Sequence, residues 1–88
     1  MPFFCYILEC ADGTYYTGWS TNPAKRVTLH NKGQGAKYTR MHRPVTLVYQ
    51  EEQTDLSSAL HRELSIKSMT HAQKKKLIAR KGKTGNDA

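Results

Sequence analysis

Five residues in this chain are of types that move protons, hold a divalent cation or neutralise an anion: Tyr6, Tyr16, Arg26, His30 and Glu63. Glu63 falls among Leu56, Ala59, Leu60 and Leu64, whose spacing is helical. At about 100° per residue it lies in angle between Ala59 and Leu60, near the middle of the stripe predicted to face the core. A carboxylate there is costly unless it pairs with a cation or binds a metal. Lys67, one turn later, offers the ion pair. Arg26 and His30 are also one turn apart, so they share a helix face. Tyr6 and Tyr16 sit near the middles of two β-forming runs, where a phenol is either a core residue with a bonded hydroxyl or a working group.

Those residues need elements to hold them. The run from Phe3 to Cys10 is apolar on both alternating faces and predicts a strand covered on both sides. The pair Asp12-Gly13 makes a tight turn, and Thr14 to Trp19 returns as the second strand of an antiparallel hairpin. Asn22 before Pro23 caps a helix over Pro23 to Lys32, ended by Gly33. The segment from Gln34 to Pro44 reads as a mobile basic surface loop. Val45 to Glu51 predicts a third strand pairing with the hairpin. A helix capped by Thr54 or Asp55 should run through Met69. Thr70 and Gln73 have capping-box spacing, predicting a last helix from His71 to Lys81, with Gly82 as its stop. The expected fold is α+β: a small three-stranded antiparallel sheet packed by about three helices. One domain over residues 1–82 and a disordered tail over Lys83 to Ala88 follow.

Composition narrows the class. The 88 residues include 14 Lys and Arg against 7 Asp and Glu, a net charge of +7. No acid occurs between Gly13 and Gln50 or between Leu64 and Asn86, and these two blocks hold 13 of the 14 cations. Such a surface attracts a polyanion, of which nucleic acid is the commonest in a cell. No apolar run approaches the ~20 residues that span a bilayer, and the N-terminus has no basic segment ahead of its apolar run, so a cytoplasmic protein is expected. Cys5 and Cys10 fall on opposite faces of one strand and cannot bridge each other. His30, His42, His61 and His71 lack the tight spacing of zinc ligands.

With these residues in order, the sequence resembles the GIY-YIG nuclease superfamily, in particular its small stand-alone bacterial branch of the YhbQ type. Phe4-Cys5-Tyr6 and Tyr16-Thr17-Gly18 stand where the two signature triplets would, with Phe4 and Cys5 replacing Gly and Ile. Arg26 and His30 fall at the family's arginine and its second aromatic or histidine, and Glu63 at its metal-binding glutamate. Where many relatives place an asparagine about a dozen residues further on, this chain has Lys75.

The resemblance implies an endonuclease that hydrolyses phosphodiester bonds in DNA or RNA. Glu63 would hold one Mg2+ or Mn2+, Arg26 would stabilise charge on the phosphate, and Tyr16 would act as general base. Tyr6 would position water or phosphate, and His30 would assist proton transfer or bond Tyr6. Lys25, Lys37, Arg40, Arg43, Lys67, Lys74, Lys75 and Lys76 are the expected contacts to the nucleic-acid backbone, DNA foremost. A second reading is a nucleic-acid-binding module of the same fold with little or no turnover. A third is an interaction domain recruited by a protein partner.

Overall fold

Asp12 closes the first turn as the sequence predicts. Its Oδ1 accepts from the Thr14 amide at 3.1 Å and the Thr14 hydroxyl at 2.7 Å, while Gly13 takes the positive φ of +86° that the turn requires. The strands so joined are β1 (Phe3–Glu9) and β2 (Tyr15–Ser20). After them come α1 (Pro23–Asn31), α2 (Lys37–Met41), β3 (Thr46–Gln53), α3 (Leu56–Lys67) and α4 (His71–Asp87). This is a computed structural model that describes residues 2–87, with side chains described for residues 2–80.

The sheet is antiparallel throughout, in the order β2-β1-β3. Since β1 is central and covered on both faces, its side chains alternate between two cores. Cys5 and Ile7 pack with Tyr49, Ala59, Ile66 and Leu77, the α3 and α4 side. Tyr6, Leu8 and Cys10 pack with Val45, Leu47 and Val27, the α1 side. Cys5 and Cys10 therefore lie apart, both buried and free. A bulge in β3 at Val48, between the pairs Ile7↔Tyr49 and Leu8↔Leu47, exchanges the faces of that strand. Val45 and Leu47 point towards α1, whereas Tyr49 faces α3. Beyond the bulge Glu51, opposite Cys5, reaches Arg62 of α3, with Nε–Oε1 at 2.5 Å and Nη2–Oε2 at 3.4 Å.

The caps follow the sequence signals. Asn22 accepts from the Lys25 amide at 3.2 Å, Asp55 from the Ser58 amide at 2.7 Å, and Thr70 and Gln73 bond reciprocally at 2.8 and 3.1 Å. Asn31 anchors the far end of α1 to the start of β3. Its side chain donates to the Val45 carbonyl at 3.0 Å and accepts from the Val45 amide at 2.7 Å.

Three expectations need revision. The described residues form four helices, because residues 34–44 contain α2, whose Thr39 is fully buried. The helix is short and has no amphipathic period to reveal it. Next, α3 is rotated from its predicted face. Ala59 and Ile66 are its buried residues, while Leu56, Leu60 and Leu64 are exposed, Leu64 by 63%. The Glu51–Arg62 pair and the contact of Ala59 with Cys5, whose thiol donates to the Ala59 carbonyl at 3.1 Å, override the leucine stripe. Finally, α3 ends at Lys67 rather than Met69, and the assigned span of α4 passes Gly82. The expected tail over Lys83 to Ala88 lies outside the residues with described side chains.

This rotation is testable by equilibrium urea denaturation. Ile66→Ala should lower stability by about 2–5 kcal/mol, as buried large-to-small changes do. Leu64→Ala should change it by no more than about 0.5 kcal/mol. The reverse ranking would restore the predicted helix face.

Candidate active site

Pro23 sets the first turn of α1, and the helical repeat then carries Arg26 and His30 to one side of it. Arg26 is exposed, whereas His30 is buried beneath the helix with 3% of its surface accessible. On the sheet, Tyr6 and Tyr16 point to this same side, for Tyr16 pairs with Leu8 and Tyr6 with Gly18. Gly18 matters through what it lacks. A Cβ there would stand 2.7 Å from Tyr6 Oη and 2.9 Å from Cζ, so only glycine lets the Tyr6 ring cross β2 towards the sheet edge.

At that edge the two helical sides meet. A polar cleft of ≈ 210 Å3 is lined by Tyr6, Tyr16, Arg26, His30 and Glu63, with Gly18, Trp19 and the Gln34-Gly35-Ala36 backbone completing it. All five residues singled out in the sequence thus converge, from β1, β2, α1 and α3. A larger groove of ≈ 380 Å3 is lined by Met69, Gln73, Lys76, Leu77 and Arg80. That lining has no carboxylate, imidazole or phenol.

Inside the cleft, His30 Nε2 lies 3.4 Å from Tyr6 Oη and Nδ1 lies 2.5 Å from Thr39 Oγ1. Burial, reinforced by Arg26, lowers the His30 pKa below its ordinary value and keeps the ring neutral. Burial also pushes the Tyr6 phenol up to about 12; neighbouring Tyr16 and Glu63 add to the rise and Arg26 opposes it. Tyr6 is therefore a neutral hydrogen-bonding phenol, leaving Tyr16, half-buried with its ring centroid 5.4 Å from that of His30, as the candidate base.

Glu63 lies at the cleft on α3, and its Oε2 is 3.7 Å from Lys67 Nζ. Its neighbour Arg62 is tied to Glu51, whose Oε2 also accepts a short bond from the Tyr49 hydroxyl. That network fixes α3 against β3 and thereby aims the next residue at the β2 edge.

Comparison with known proteins identifies the family. The family model of the GIY-YIG catalytic domain matches residues 2–76. The chain belongs to the GIY-YIG family. Within it, the chain is 53% identical over 75 residues to a UPF0213 protein of Staphylococcus epidermidis, covering 85% of this chain and 92% of that one. A UPF0213 protein of Staphylococcus aureus is 52% identical over the same coverage. Two solution NMR structures are similar in fold. The UPF0213 protein BH0048 of Bacillus halodurans has a TM-score of 0.60 at 38% identity, covering 93% of this chain and 87% of its own. The protein EF2693 of E. faecalis has a TM-score of 0.62 at 36% identity, covering 91% and 85%. These relatives place the chain in a small stand-alone bacterial branch of the family.

A GIY-YIG domain has a nuclease-type fold suited to nucleic acid. For a metal, the cleft offers Glu63 as its one carboxylate, and no group of three His, Cys, Asp or Glu side chains comes together among the described residues. This donor set fits an ion held by one carboxylate that keeps its remaining places for water and substrate oxygens, the habit of Mg2+. It does not fit a protein-enclosed site. The ion pair with Lys67 is long and Lys67 itself is half-exposed, so the carboxylate is not locked to it.

The expected backbone contacts divide into groups. Lys25, Lys37 and Arg40 are exposed on α1 and α2, the helices that carry or flank the cleft residues Arg26, His30 and Ala36. Arg43 is engaged with the protein, its guanidinium donating to the Arg40 carbonyl at 3.0 Å and the Asn31 carbonyl at 3.3 Å. Lys67 faces Glu63, and Lys74 is partly buried close to Lys67, with burial and that neighbour lowering its pKa. Lys75 is exposed, while Lys76 belongs to the separate groove. No described helix is long and apolar enough to cross a membrane.

Sequence reasoning placed Gly18 in the second signature triplet but missed Gly35 and Thr39. A Cβ on Gly35 would stand 2.0 Å from His30 Nδ1, so the segment before α2 packs directly on the imidazole. The one available signal was His30 itself, since a buried imidazole demands a partner for each nitrogen.

Two measurements check the site. Gly18→Ala should cost about 1–3 kcal/mol by overpacking, and adding Tyr6→Phe should recover part of the loss because Oη is the nearest atom struck. The His30 shift also has a defined sign. As pH falls below about 6.5 the unfolded chain takes up a proton that native His30 resists. Stability therefore decreases from about pH 7 towards pH 5, levelling once the native group titrates. Urea denaturation of His30→Gln across that range should show a shallower decline.

Proposed function

We propose that this protein is an endonuclease that hydrolyses phosphodiester bonds in nucleic acid, DNA before RNA, in the bacterial cytoplasm. The observation that carries the reading is the convergence of Tyr6, Tyr16, Arg26, His30 and Glu63 on one polar cleft. Arg26, exposed at the rim and permanently charged, meets the non-bridging phosphate oxygens and stabilises the added charge of the transition state. Tyr16 accepts the proton of the attacking water. Tyr6 positions that water or the phosphate, with His30 behind it. Glu63 would hold a single Mg2+ or Mn2+, which would supply Lewis-acid stabilisation of developing negative charge. Lys25, Lys37 and Arg40 draw the strand towards the cleft, and the lysines of α4 add diffuse attraction.

The Glu63–Lys67 pair favours a second reading, a binding module in which the carboxylate serves the helix. Purified protein with Mg2+ or Mn2+ and supercoiled, branched and single-stranded substrates separates the two. Cleavage by the wild type, reduced at least ~100-fold in Arg26→Ala and Glu63→Gln, supports turnover. Replacing Lys74, Lys75 and Lys76 with Ala should weaken binding on every sequence, flatten its salt slope by up to ~3 units and leave cleavage at saturation intact. Salt-sensitive binding with wild type and Glu63→Gln equally inert establishes the binding module instead.

A further inference from the structure

α2 supplies no member of the five-residue site, yet it buries a hydroxyl against it. Thr39 is completely inaccessible, and its Oγ1 donates its one proton to the Ala36 carbonyl at 2.9 Å. A hydroxyl whose proton is committed has only lone pairs to offer. His30 Nδ1, 2.5 Å away, must then be the donor, and in a neutral imidazole the other nitrogen is bare. That bare Nε2 faces Tyr6 Oη at 3.4 Å, so the phenol donates to it. The chain of bonds runs in one direction, from Tyr6 through His30 and Thr39 to the Ala36 carbonyl.

The reverse direction is available to the same rings. Were Nε2 to carry the proton, Tyr6 would accept from it and aim its own O–H into the cleft. Only the Thr39 end distinguishes the two, because Tyr6 Oη is equally able to donate or accept. The surroundings hold the arrangement in place. The Gly35 backbone is packed against the imidazole. α2 in turn is strapped to the β1–β2 turn, the Tyr38 hydroxyl donating to Thr14 Oγ1 at 2.6 Å and the Ala11 amide to the His42 carbonyl at 3.0 Å.

We infer that Thr39 is a positioning residue that fixes His30 as the Nδ1–H tautomer and so turns the lone pairs of Tyr6 Oη, not its proton, towards the cleft. Resting on the nuclease reading, this deepens it: Tyr6 accepts a hydrogen bond from the attacking water and does not donate one to the phosphate. The phosphate is left to Arg26.

Long-range 1H–15N correlation NMR on the uniformly 15N-labelled protein, above the pH at which histidine titrates, reads the tautomer directly. The wild type should show His30 with Nδ1 protonated and Nε2 bare. Thr39→Ser should keep that pattern, and Thr39→Val, which removes the acceptor, should shift it towards Nε2–H. An Nε2–H tautomer in the wild type overturns the inference without any variant, as does a folded Thr39→Val with an unchanged tautomer. This readout stands whether or not the protein cleaves nucleic acid, so its failure is distinct from failure of the nuclease reading. In the cleavage assay, Thr39→Val should lower kcat roughly 10- to 100-fold with KM little changed, and Thr39→Ser should restore it. A Thr39→Val protein that cleaves with wild-type kcat would remove Tyr6's proposed task.

Discussion

β1 lies between two strands and under helices on both faces, so its middle side chains, Cys5 to Leu8, are dry. A polar group placed there must find a partner inside the protein. Tyr6 is that group, and much of the site is arranged around it. Its phenol passes over β2 because Gly18 has no side chain, and it ends against a histidine that is itself buried. The same burial that makes this arrangement stable makes the phenol hard to ionise. Structure and reactivity are thus coupled at one residue: Tyr6 is held firmly because it is buried, and for that reason it serves as a hydrogen-bonding group instead of a base.

The opposite face of the sheet has a different task. α3 is held by a small apolar contact at Ala59 and Ile66 and by the charged contact of Arg62 with Glu51. A bidentate Arg–carboxylate pair is geometrically demanding, and it sets the rotation of the helix more tightly than leucine burial does. The consequence is an exposed edge of leucines and a carboxylate carried around the β2 edge to meet residues from the other face. An edge strand is the one place in a covered sheet where both sides are reachable, which is why the cleft forms there.

Around the cleft the positive charge is graded by burial. The cations of α1 and α2 are exposed and able to meet phosphate, whereas Arg43 binds helix-end carbonyls and Lys74 is partly withdrawn from water. Charge that is engaged within the protein contributes to its fold, and charge that is solvated contributes to long-range attraction. Counting lysines and arginines along the chain merges these two roles.

The sequence by itself determined the strands, the hairpin turn and the capped starts of α1, α3 and α4, since these depend on local conformational preferences and on side chains a few residues apart. It also singled out Tyr6, Tyr16, Arg26, His30 and Glu63 by their types and order, and the fold brings these five to one cleft. The face of α3 was decided only in the tertiary structure, where Glu51, brought round by a bulge in β3, outweighs the leucine period of the helix. Likewise α2 and the burial of Thr39 were invisible, for a five-residue helix has too few turns to carry a period, and its stability comes from the hairpin turn and the imidazole it covers. Gly35 belongs with these: it is required by the imidazole of the preceding helix, and no local rule announces a contact of that kind.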